Sequence, residues 1–466
     1  MNNTPVLRST IAFCALTSVL AVGLGRAAVN AAAPHARVMA ATATPDKKTN
    51  VLLPQPKSGF PPGIAPESAR VDIVRPTFSN PGAITNPLLP YTKIDQIIQT
   101  GQKEGLPHRT ELTLLPGTKS IKWLGEETKV RALQFVAYLD GRILETAIDY
   151  VAQADDGAVW YFGEDVNNYA DGKIADNGGS WRAGKDVPPA MIMPANPQIG
   201  NVYRVENLPG IVFEEVMVKA ISQTLEGPRG LVQGVLFVQQ IGLDGFPVIK
   251  AFAPGYGEFL AHSEDAAVAL PTDSIKGTAP AELKALLSGA TTMLGTVETT
   301  DWKVLTDTLK SMTGAIEAFH ASAASNQFPL LNTPLDRAFA ALTEAVNVQS
   351  LEDVHGTAFD VAIAVLDLEM PYRTPVESDL ARFALWNQRI GIDSAEDSPD
   401  NVLGDVAVLE LIWSRVGHTI DASKGKGIVA QLEKLRAAAN KEEMTDAANA
   451  SAGLIKRLAE LGILVN

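Results

Sequence analysis

A β-hairpin signal between residues 147 and 165 constrains the fold of this chain most strongly. Two runs rich in aromatic and β-branched residues, 148–151 and 159–162, are separated by Asp155-Asp156-Gly157. An Asp-Gly step between strand-like runs is a strong short-range signal for a β-hairpin. The same step recurs at Asp140-Gly141, Asp171-Gly172 and Asp244-Gly245. The sequence therefore predicts an antiparallel β-meander, in the form of a sandwich or a half-barrel.

The register of this central hairpin decides which side chains share a face of the sheet. A two-residue loop at Asp156-Gly157 places Asp149 directly across from Glu164. A three-residue loop that starts at Asp155 places Asp149 across from Gly163 instead. We favour the second register because Asp-Asp-Gly suits a type I turn followed by a bulge, and both registers stay open at this point.

A helical region follows the strands, because the apolar residues change from a period of two to a helical period near residue 280. One stripe recurs every three or four residues: Trp302, Leu305, Leu309, Met312, Ile316 and Phe319. Similar stripes occur in residues 335–346, 354–368, 402–420, 428–435 and 454–461. Helices with one apolar face bury those faces against one another. We therefore expect about seven helices in an all-α helical bundle.

Length and charge divide the chain into regions. A chain of 466 residues exceeds the size of one hydrophobic core. Its net charge is −14, and residues 273–466 contain 27 acidic and 16 basic side chains. Since phosphate contact needs a basic face, nucleic acid is not an expected partner. We predict an α+β multidomain protein, with an antiparallel β domain in residues 71–272 and an acidic α-helical bundle domain in residues 273–466.

The N-terminal residues have the features of a secretory signal. Arg8 precedes an apolar run from Ile11 to Leu24, and small residues near position 31 suit cleavage. Removal of residues 1–31 as a signal peptide also removes Cys14, the one cysteine of the sequence. Residues 32–70 are small, polar and proline-rich, which is typical of a disordered spacer. These features predict a secreted or periplasmic protein without a transmembrane helix in its mature form.

Four sequence blocks carry a resemblance to known proteins. They are Phe78-Ser79-Asn80-Pro81 with Ile84-Thr85-Asn86-Pro87, Trp160 to Asp165, Ile192 to Pro197, and Ala253 to Gly257. Over about residues 76–262 the chain resembles a group of secreted bacterial proteins of unassigned activity. In that group the hairpin tip is similar to Asp-Lys-Asp-Gly-Asn, a loop whose oxygens suit a cation. The tip here, residues 154–158, lacks the first carboxylate and the amide, so the resemblance implies a fold and not a function.

The predicted β domain contains one group of carboxylates near aromatic side chains. Asp149, Glu164 and Asp165 are candidate catalytic residues, because a glycosidase needs two carboxylates of which one is desolvated. The candidate ligand-binding residues are Trp160, Tyr161, Trp181, Met191 and Met193. Acidic residues at strand ends are mostly exposed, so a purely structural role for the carboxylates is the competing interpretation.

Three of these candidates, Trp160, Met191 and Met193, have a predicted position in the fold. Strand alternation places Trp160 and Phe162 on one face of their strand, and their size predicts that this face is buried in the core. The proline-rich segment 188–197, which contains Met191 and Met193, is too apolar for an ordinary exposed loop. We expect it to pack over one end of the sheet, either as a plug of the core or as a lid whose thioethers contact a ligand.

Four carboxylates between two predicted helices are candidate ligands for a metal ion: Asp393, Glu396, Asp397 and Asp400. Their spacing does not match a twelve-residue calcium loop, because its central glycine is absent. An exposed linker whose Ser398 caps the next helix is the simpler interpretation. The sequence has no GxSxG, P-loop or dinucleotide fingerprint, so no cofactor is expected.

These observations favour a secreted or periplasmic, non-catalytic binding or interaction protein. Its partner would be a small molecule, a glycan or an envelope protein. The alternative is a carbohydrate-active hydrolase that uses Asp149 and Glu164 as a carboxylate pair. The two hypotheses differ in whether these carboxylates line one cleft about 5 to 10 Å apart.

Overall fold

The chain folds into a β region followed by a helical region. The computed structural model describes residues 53, 56, 58–228, 230–260, 264–270, 277–296, 301–327 and 329–462. Within these residues, antiparallel sheets that include a half-barrel precede eight α-helices, so the predicted α+β architecture is confirmed. The predicted signal peptide with Cys14 and the predicted boundary near residue 272 lie outside the described residues. No helix of the described part has the length and apolarity needed to cross a membrane.

The strands of the β region form two sheets. Their bounds are β1 (Gln96–Lys103), β2 (Leu106–Leu114), β3 (Lys119–Trp123), β4 (Glu126–Leu139), β5 (Arg142–Gln153), β6 (Val159–Ala170), β7 (Lys173–Asp176), β8 (Trp181–Arg182), β9 (Ala190–Met193), β10 (Val202–Leu208), β11 (Val212–Gly227), β12 (Gly230–Ile241), β13 (Pro247–Ala253), β14 (Gly257–Leu260) and β15 (Glu264–Leu270). The larger sheet has the order β15-β1-β2-β4-β5-β6-β7, with β3 on β4 and both β8 and β9 on β6. The smaller sheet has the order β10-β11-β12-β13-β14.

The predicted Asp-Gly turns connect strands of these sheets. Asp140-Gly141 links β4 to β5, and Asp171-Gly172 links β6 to β7. All four residues have a φ between 50° and 67°, which is the conformation of a type I′ turn. Asp244-Gly245 lies between β12 and β13. The turns predicted at these positions are therefore confirmed.

The central hairpin, β5 with β6, has the three-residue loop that we favoured. The N–H of Ala154 donates to the carbonyl of Ala158 at 2.8 Å, and the N–H of Gly157 donates to the carbonyl of Ala154 at 2.9 Å. Gly157 has a φ of 95°, which glycine adopts without steric cost.

A bulge at Gly163 then changes the register of the same hairpin. The pairing shifts by one residue there, so that Asp149 lies directly across from Glu164. Gly163 has a φ of 109°, and a Cβ at this position would lie 2.2 Å from the carbonyl oxygen of Trp181. The favoured three-residue loop is therefore confirmed, but the partner that it predicts for Asp149, Gly163, is wrong. Asp149 pairs with Glu164, as the two-residue loop predicts.

The helical region contains eight helices within the described residues, where the apolar stripes predict about seven. They are α1 (Ala281–Leu294), α2 (Trp302–Ala321), α3 (Pro329–Asn347), α4 (Leu351–Leu368), α5 (Pro375–Ala395), α6 (Pro399–Val416), α7 (Ala422–Asn440) and α8 (Met444–Glu460). Helix α5 lacks a clear apolar stripe because it buries charged side chains, among them Asp379, Arg382, Arg389 and Asp393. It begins with a capping box between Thr374 and Glu377.

The end of the proline-rich segment packs on the smaller sheet. The ring of Phe60 lies edge-to-face against that of Phe213, with 5.5 Å between centroids. The N–H of Ala65 donates to the carboxylate of Glu215 at 2.6 Å. Proline restricts the unfolded backbone, so such a segment loses less entropy when it packs. Phe60 and Ala65, at the end of the segment predicted as a spacer over residues 32–70, thus contact the β region.

The larger sheet is covered on both faces. Ile98 of β1 belongs to the core that the helices form, whereas its neighbour Ile97 faces the smaller sheet. On β4, the ring of Tyr138 stacks on Trp386 of α5 with 5.6 Å between centroids. Successive residues of a strand point to opposite faces, so one sheet serves two cores.

Buried ion pairs join the helices to the larger sheet. The network contains three arginines and three carboxylates: Arg109, Arg382, Arg415, Glu111, Asp367 and Asp379. Glu111 of β2 accepts hydrogen bonds from Arg109 at 2.6 Å and from Arg415 at 2.8 Å. Burial opposes its charge, but Arg415 and then Arg109 hold the pKa of the Glu111 carboxyl well below its usual range. Because buried charges must be paired, another placement of the helices would leave several of them without partners.

The Glu111→Gln variant is expected to unfold more easily. The substitution leaves three buried arginines with two carboxylates, and removal of one partner of a buried pair costs about 3–5 kcal/mol. Denaturant unfolding followed by circular dichroism measures the loss. The exposed Glu226 provides the matched control, since Glu226→Gln is expected to change the free energy of unfolding by less than about 0.5 kcal/mol. Equal stability of the two variants would contradict the role given to the network.

The structure confirms the predicted burial of the face of β6 that carries Trp160 and Phe162, and the Trp160→Ala variant tests it. Trp160 is 2% exposed and Phe162 is 0% exposed. Truncation of a buried tryptophan is expected to lower the free energy of unfolding by about 3–5 kcal/mol, measured by denaturant unfolding. Phe246 is 55% exposed, so Phe246→Ala should have an effect below about 0.5 kcal/mol. A Trp160→Ala variant with the stability of the Phe246→Ala control would refute the packing described here.

Candidate functional site

A cavity of about 550 Å³ lies between the two sheets. One wall is the face of the larger sheet that points away from the helices, formed by β1, β2, β4, β5 and β6. The opposite wall comes from β10 to β14 of the smaller sheet. Cavities of this size hold small molecules in many proteins.

An apolar row crosses the larger sheet along this cavity. Residues paired between neighbouring strands form it: Ile97, Leu112, Phe135, Ala147 and Val166. Because residues directly opposite on neighbouring strands share a face, the row is continuous from β1 to β6. Adjacent strands lie about 4.8 Å apart, so the row extends over roughly 19 Å.

Carboxyl groups make the cavity acidic. Seven of them line it. Asp176 is exposed, and the six that are partly buried are called the cavity carboxyls below: Glu145, Asp149, Glu164, Glu206, Glu214 and Glu258. Glu145 and Asp149 lie on either side of Ala147 on β5, and Asp149 lies across from Glu164 on β6. Among the lining residues that the structure describes, Lys250 is the one basic side chain, and its Nζ lies 3.3 Å from a carboxylate oxygen of Glu258. The carboxyls of β5 and β6, together with Glu206 of β10 and its cross-strand partner Glu214 of β11, form the acidic end of the apolar row.

Glu164 and Glu206 form a carboxyl pair that bridges the two sheets. Burial, and then the charge of Glu206, raises the pKa of Glu164 well above its usual range. The two carboxyls are in hydrogen-bonding contact, and Glu206 also accepts the indole N–H of Trp181 at 3.2 Å. Two carboxyls in such contact repel each other when both are ionised, so the pair retains a proton.

Three further cavity carboxyls keep their protons to unusually high pH. Burial, and then the charge of Asp149, raises the pKa of Glu145 to about 7. Burial raises the pKa of Asp149 to about 7, although the Tyr161 hydroxyl donates a hydrogen bond to it at 2.7 Å. Burial also raises the pKa of Glu214 to about 8, although Lys250 opposes the shift. The acidic end is therefore partly protonated at neutral pH.

Tyr203 is a polar residue beside the cavity. It lines the cavity from β10 and is 0% exposed to solvent. Its hydroxyl has no hydrogen-bond partner among the described residues and is itself buried. The hydroxyl therefore does not open onto the cavity space.

The structure brings two of the three candidate catalytic residues together. Asp149 and Glu164 both line the cavity, on neighbouring strands. Asp165 lies outside the cavity lining, where it accepts a hydrogen bond from the Tyr150 hydroxyl at 2.9 Å and pairs with Arg182. The chemistry available to the cavity thus comes from Asp149 and Glu164, together with the carboxyls of the smaller sheet.

The five candidate ligand-binding residues are all described, and of these Tyr161 lines the cavity. Trp181 supports it, since the two rings meet edge-to-face with 5.3 Å between centroids. Met191 pairs with Trp160 between β9 and β6, and both are buried in the core together with Met193. The methionine segment therefore packs onto the edge of the sheet as a strand.

Three of the four candidate metal ligands have other side-chain partners. Asp393 pairs with Arg142 at 2.6 Å, Glu396 contacts His355 at 3.0 Å, and Asp400 pairs with Lys173 at 3.1 Å. Asp397 lies in the turn after α5 with a φ of 53°. Across the described ranges, no group of three or more His, Cys, Asp or Glu side chains is arranged to hold a metal ion.

Sequence reasoning missed most of the cavity carboxyls, although one signal for them was present. Glu214 lies between Val212 and Val216 on β11, so alternation gives all three side chains the same face. Apolar neighbours on that face predict that it is buried. A carboxylate on the buried face of a strand has a perturbed pKa, and such groups are concentrated at functional sites.

Comparisons with known proteins add no assignment to this geometry. No protein-family model matches the chain. No curated protein matches it either. The function of the cavity is therefore inferred from its own residues.

The Glu214→Gln variant should be more stable than the wild type at high pH. The pKa of Glu214 rises from the ordinary 4.5 to about 8 on folding, so the folded protein holds a proton that the unfolded chain has lost between these values. Stability linked to this group is present below about pH 4.5 and is lost as the pH rises to about 8. Thermal unfolding at pH 8.5 should show a gain of about 1–3 kcal/mol for Glu214→Gln that shrinks at pH 5.

The exposed Glu226 again provides the control, because Glu226→Gln should show no gain at either pH. A Glu214→Gln variant that is less stable than the wild type at both pH values would refute the burial of a protonated carboxyl at this position.

Proposed function

We propose that this protein is a non-catalytic binding protein that holds a small molecule in the cavity between its two sheets. The observation that carries the proposal is a space of about 550 Å³ between the two sheets in which a continuous apolar row meets several convergent polar groups. This combination is typical of small-molecule sites.

The proposal includes a secreted or periplasmic location and a small-molecule partner. The signal-like residues 1–31 support the location. The cavity favours a small molecule over an envelope protein, because its carboxyls and its apolar row face inward between the sheets.

A carbohydrate-active hydrolase is the second candidate, and the pairing of Asp149 with Glu164 favours it. Residues directly opposite on antiparallel strands have Cβ atoms about 4.5–5.5 Å apart, close to the carboxyl separation of retaining glycosidases. Such an enzyme also needs one carboxylate that stays ionised as the nucleophile. The pKa values of Asp149 and Glu164 are both raised, so neither is suited to that role, and this supports binding over hydrolysis.

The proposal is tested by a substitution that fills the cavity. Ala147 lies in the centre of the apolar row, so Ala147→Phe projects a ring into the space a ligand would occupy. The neutral fluorescent probe N-phenyl-1-naphthylamine is expected to bind the wild type, and Ala147→Phe should weaken binding by at least about tenfold. Ala170 is exposed on the same sheet, and Ala170→Phe should bind the probe like the wild type.

Two results would overturn the proposal. One is equal probe binding by the Ala147→Phe and Ala170→Phe variants, with both folded by circular dichroism. The other is turnover of an oligosaccharide by the wild type that is abolished in Asp149→Asn, which would establish the hydrolase.

A further inference from the structure

We propose that the ligand of this cavity is an organic cation, a molecule with an apolar body and a protonated amine or guanidinium group. The inference rests on the proposed function and names the chemical class of the ligand. The acidic end formed by β5, β6, β10 and β11 would receive the cationic group, and the apolar row would receive the body.

The charge of the lining residues supports a cation. Six cavity carboxyls face one basic side chain, Lys250, which already lies 3.3 Å from Glu258. The remaining carboxyls come from four strands and converge, since Glu164 contacts Glu206 across the two sheets. Buried carboxylates need cationic or hydrogen-bonding partners, and within the described residues the lining offers them no further cation.

The position of these carboxyls also favours a ligand with two parts. Glu145, Asp149 and Glu164 lie at one end of the apolar row, beside Ala147 and Val166. From Ala147 the row continues over β4 and β2 to β1, a distance of roughly 14 Å at about 4.8 Å per strand. A cationic group bound among the carboxyls would therefore leave an attached chain along Phe135 and Leu112.

The cavity itself provides an observation that is independent of the carboxyls and points to a bound molecule. A space of about 550 Å³ lies along the apolar row between the two sheets. The carboxyls alone could be explained as a protonated structural cluster. Such a cluster does not require an adjoining apolar space of this size, whereas a ligand with an apolar body does.

A cationic ligand is expected to bind with an affinity that depends on pH, because the carboxyls of the cavity exchange protons. Besides the cavity carboxyls, the titratable and charged groups that line the cavity are Tyr91, Tyr161, Asp176, Tyr203 and Lys250. Without a ligand, the acidic end reduces its charge by retaining protons on carboxyls such as Asp149 and Glu214. A bound cation stabilises the ionised forms and releases those protons, so its affinity rises with pH.

Isothermal titration calorimetry with three probes of one chain length tests the inference. The probes are n-decylammonium, n-decanol and decanoate, which differ in charge and each contain ten carbon atoms. At pH 8 the wild type should bind n-decylammonium at least about tenfold more tightly than n-decanol or decanoate. At pH 6 the affinity for n-decylammonium should fall, because protons compete for the carboxyls, and the affinity for n-decanol should not.

Variants separate this inference from the proposed function. Asp149→Asn should weaken n-decylammonium binding at least about tenfold at pH 8, and the exposed Glu226→Gln should leave it unchanged. Ala147→Phe should weaken the binding of all three probes. If n-decanol or decanoate binds as tightly as n-decylammonium, and Ala147→Phe abolishes that binding, the assignment of the ligand as an organic cation is overturned. The proposal of small-molecule binding then stands. If n-decylammonium does not bind at all, the inference fails, and N-phenyl-1-naphthylamine decides the proposed function separately.

Discussion

The alternation of side chains along the larger sheet is the constraint on which the rest of the structure depends. In β1, Ile98 packs against the helices and Ile97 lines the cavity. In β2, Glu111 enters the ion network and Leu112 lines the cavity. A shift of one residue would exchange the two faces, placing Glu111 in the cavity and apolar side chains against buried arginines. The helical region therefore determines which face of the sheet is left to form the cavity.

The two faces of this sheet hold their carboxyl groups in opposite states. Arginines keep the pKa of Glu111 well below its usual range on the helical face. On the cavity face, burial raises the pKa of Glu145 to about 7, and on the opposing smaller sheet it raises that of Glu214 to about 8. The partners make the difference, because burial disfavours the charged form at all three positions. A cation bound in the cavity would stabilise the ionised form of the carboxyls there, as Arg415 stabilises the ionised form of Glu111.

Local sequence signals predicted much of this fold, including the Asp-Gly turns, most strands and the helical stripes. The features they did not predict depend on residues that are distant in sequence. The bulge at Gly163 lies where the carbonyl of Trp181 approaches closely, and it restores the pairing of Asp149 with Glu164. Helix α5 buries charges whose partners lie on the strands, so its apolar period is hidden. Glu206 reaches the site through the packing of a second sheet, which no local pattern encodes.

The opposite protonation states of the two faces can be measured directly. In a ¹³C NMR pH titration of the glutamate side-chain carboxyls, assigned with Glu→Gln variants, we expect Glu145 to titrate near 7 and Glu214 near 8. In the same titration Glu111 should stay ionised down to the pH at which the protein unfolds. Titration of Glu145 and Glu214 near the ordinary value of 4.5 would contradict the description of the cavity as a buried, partly protonated acidic site.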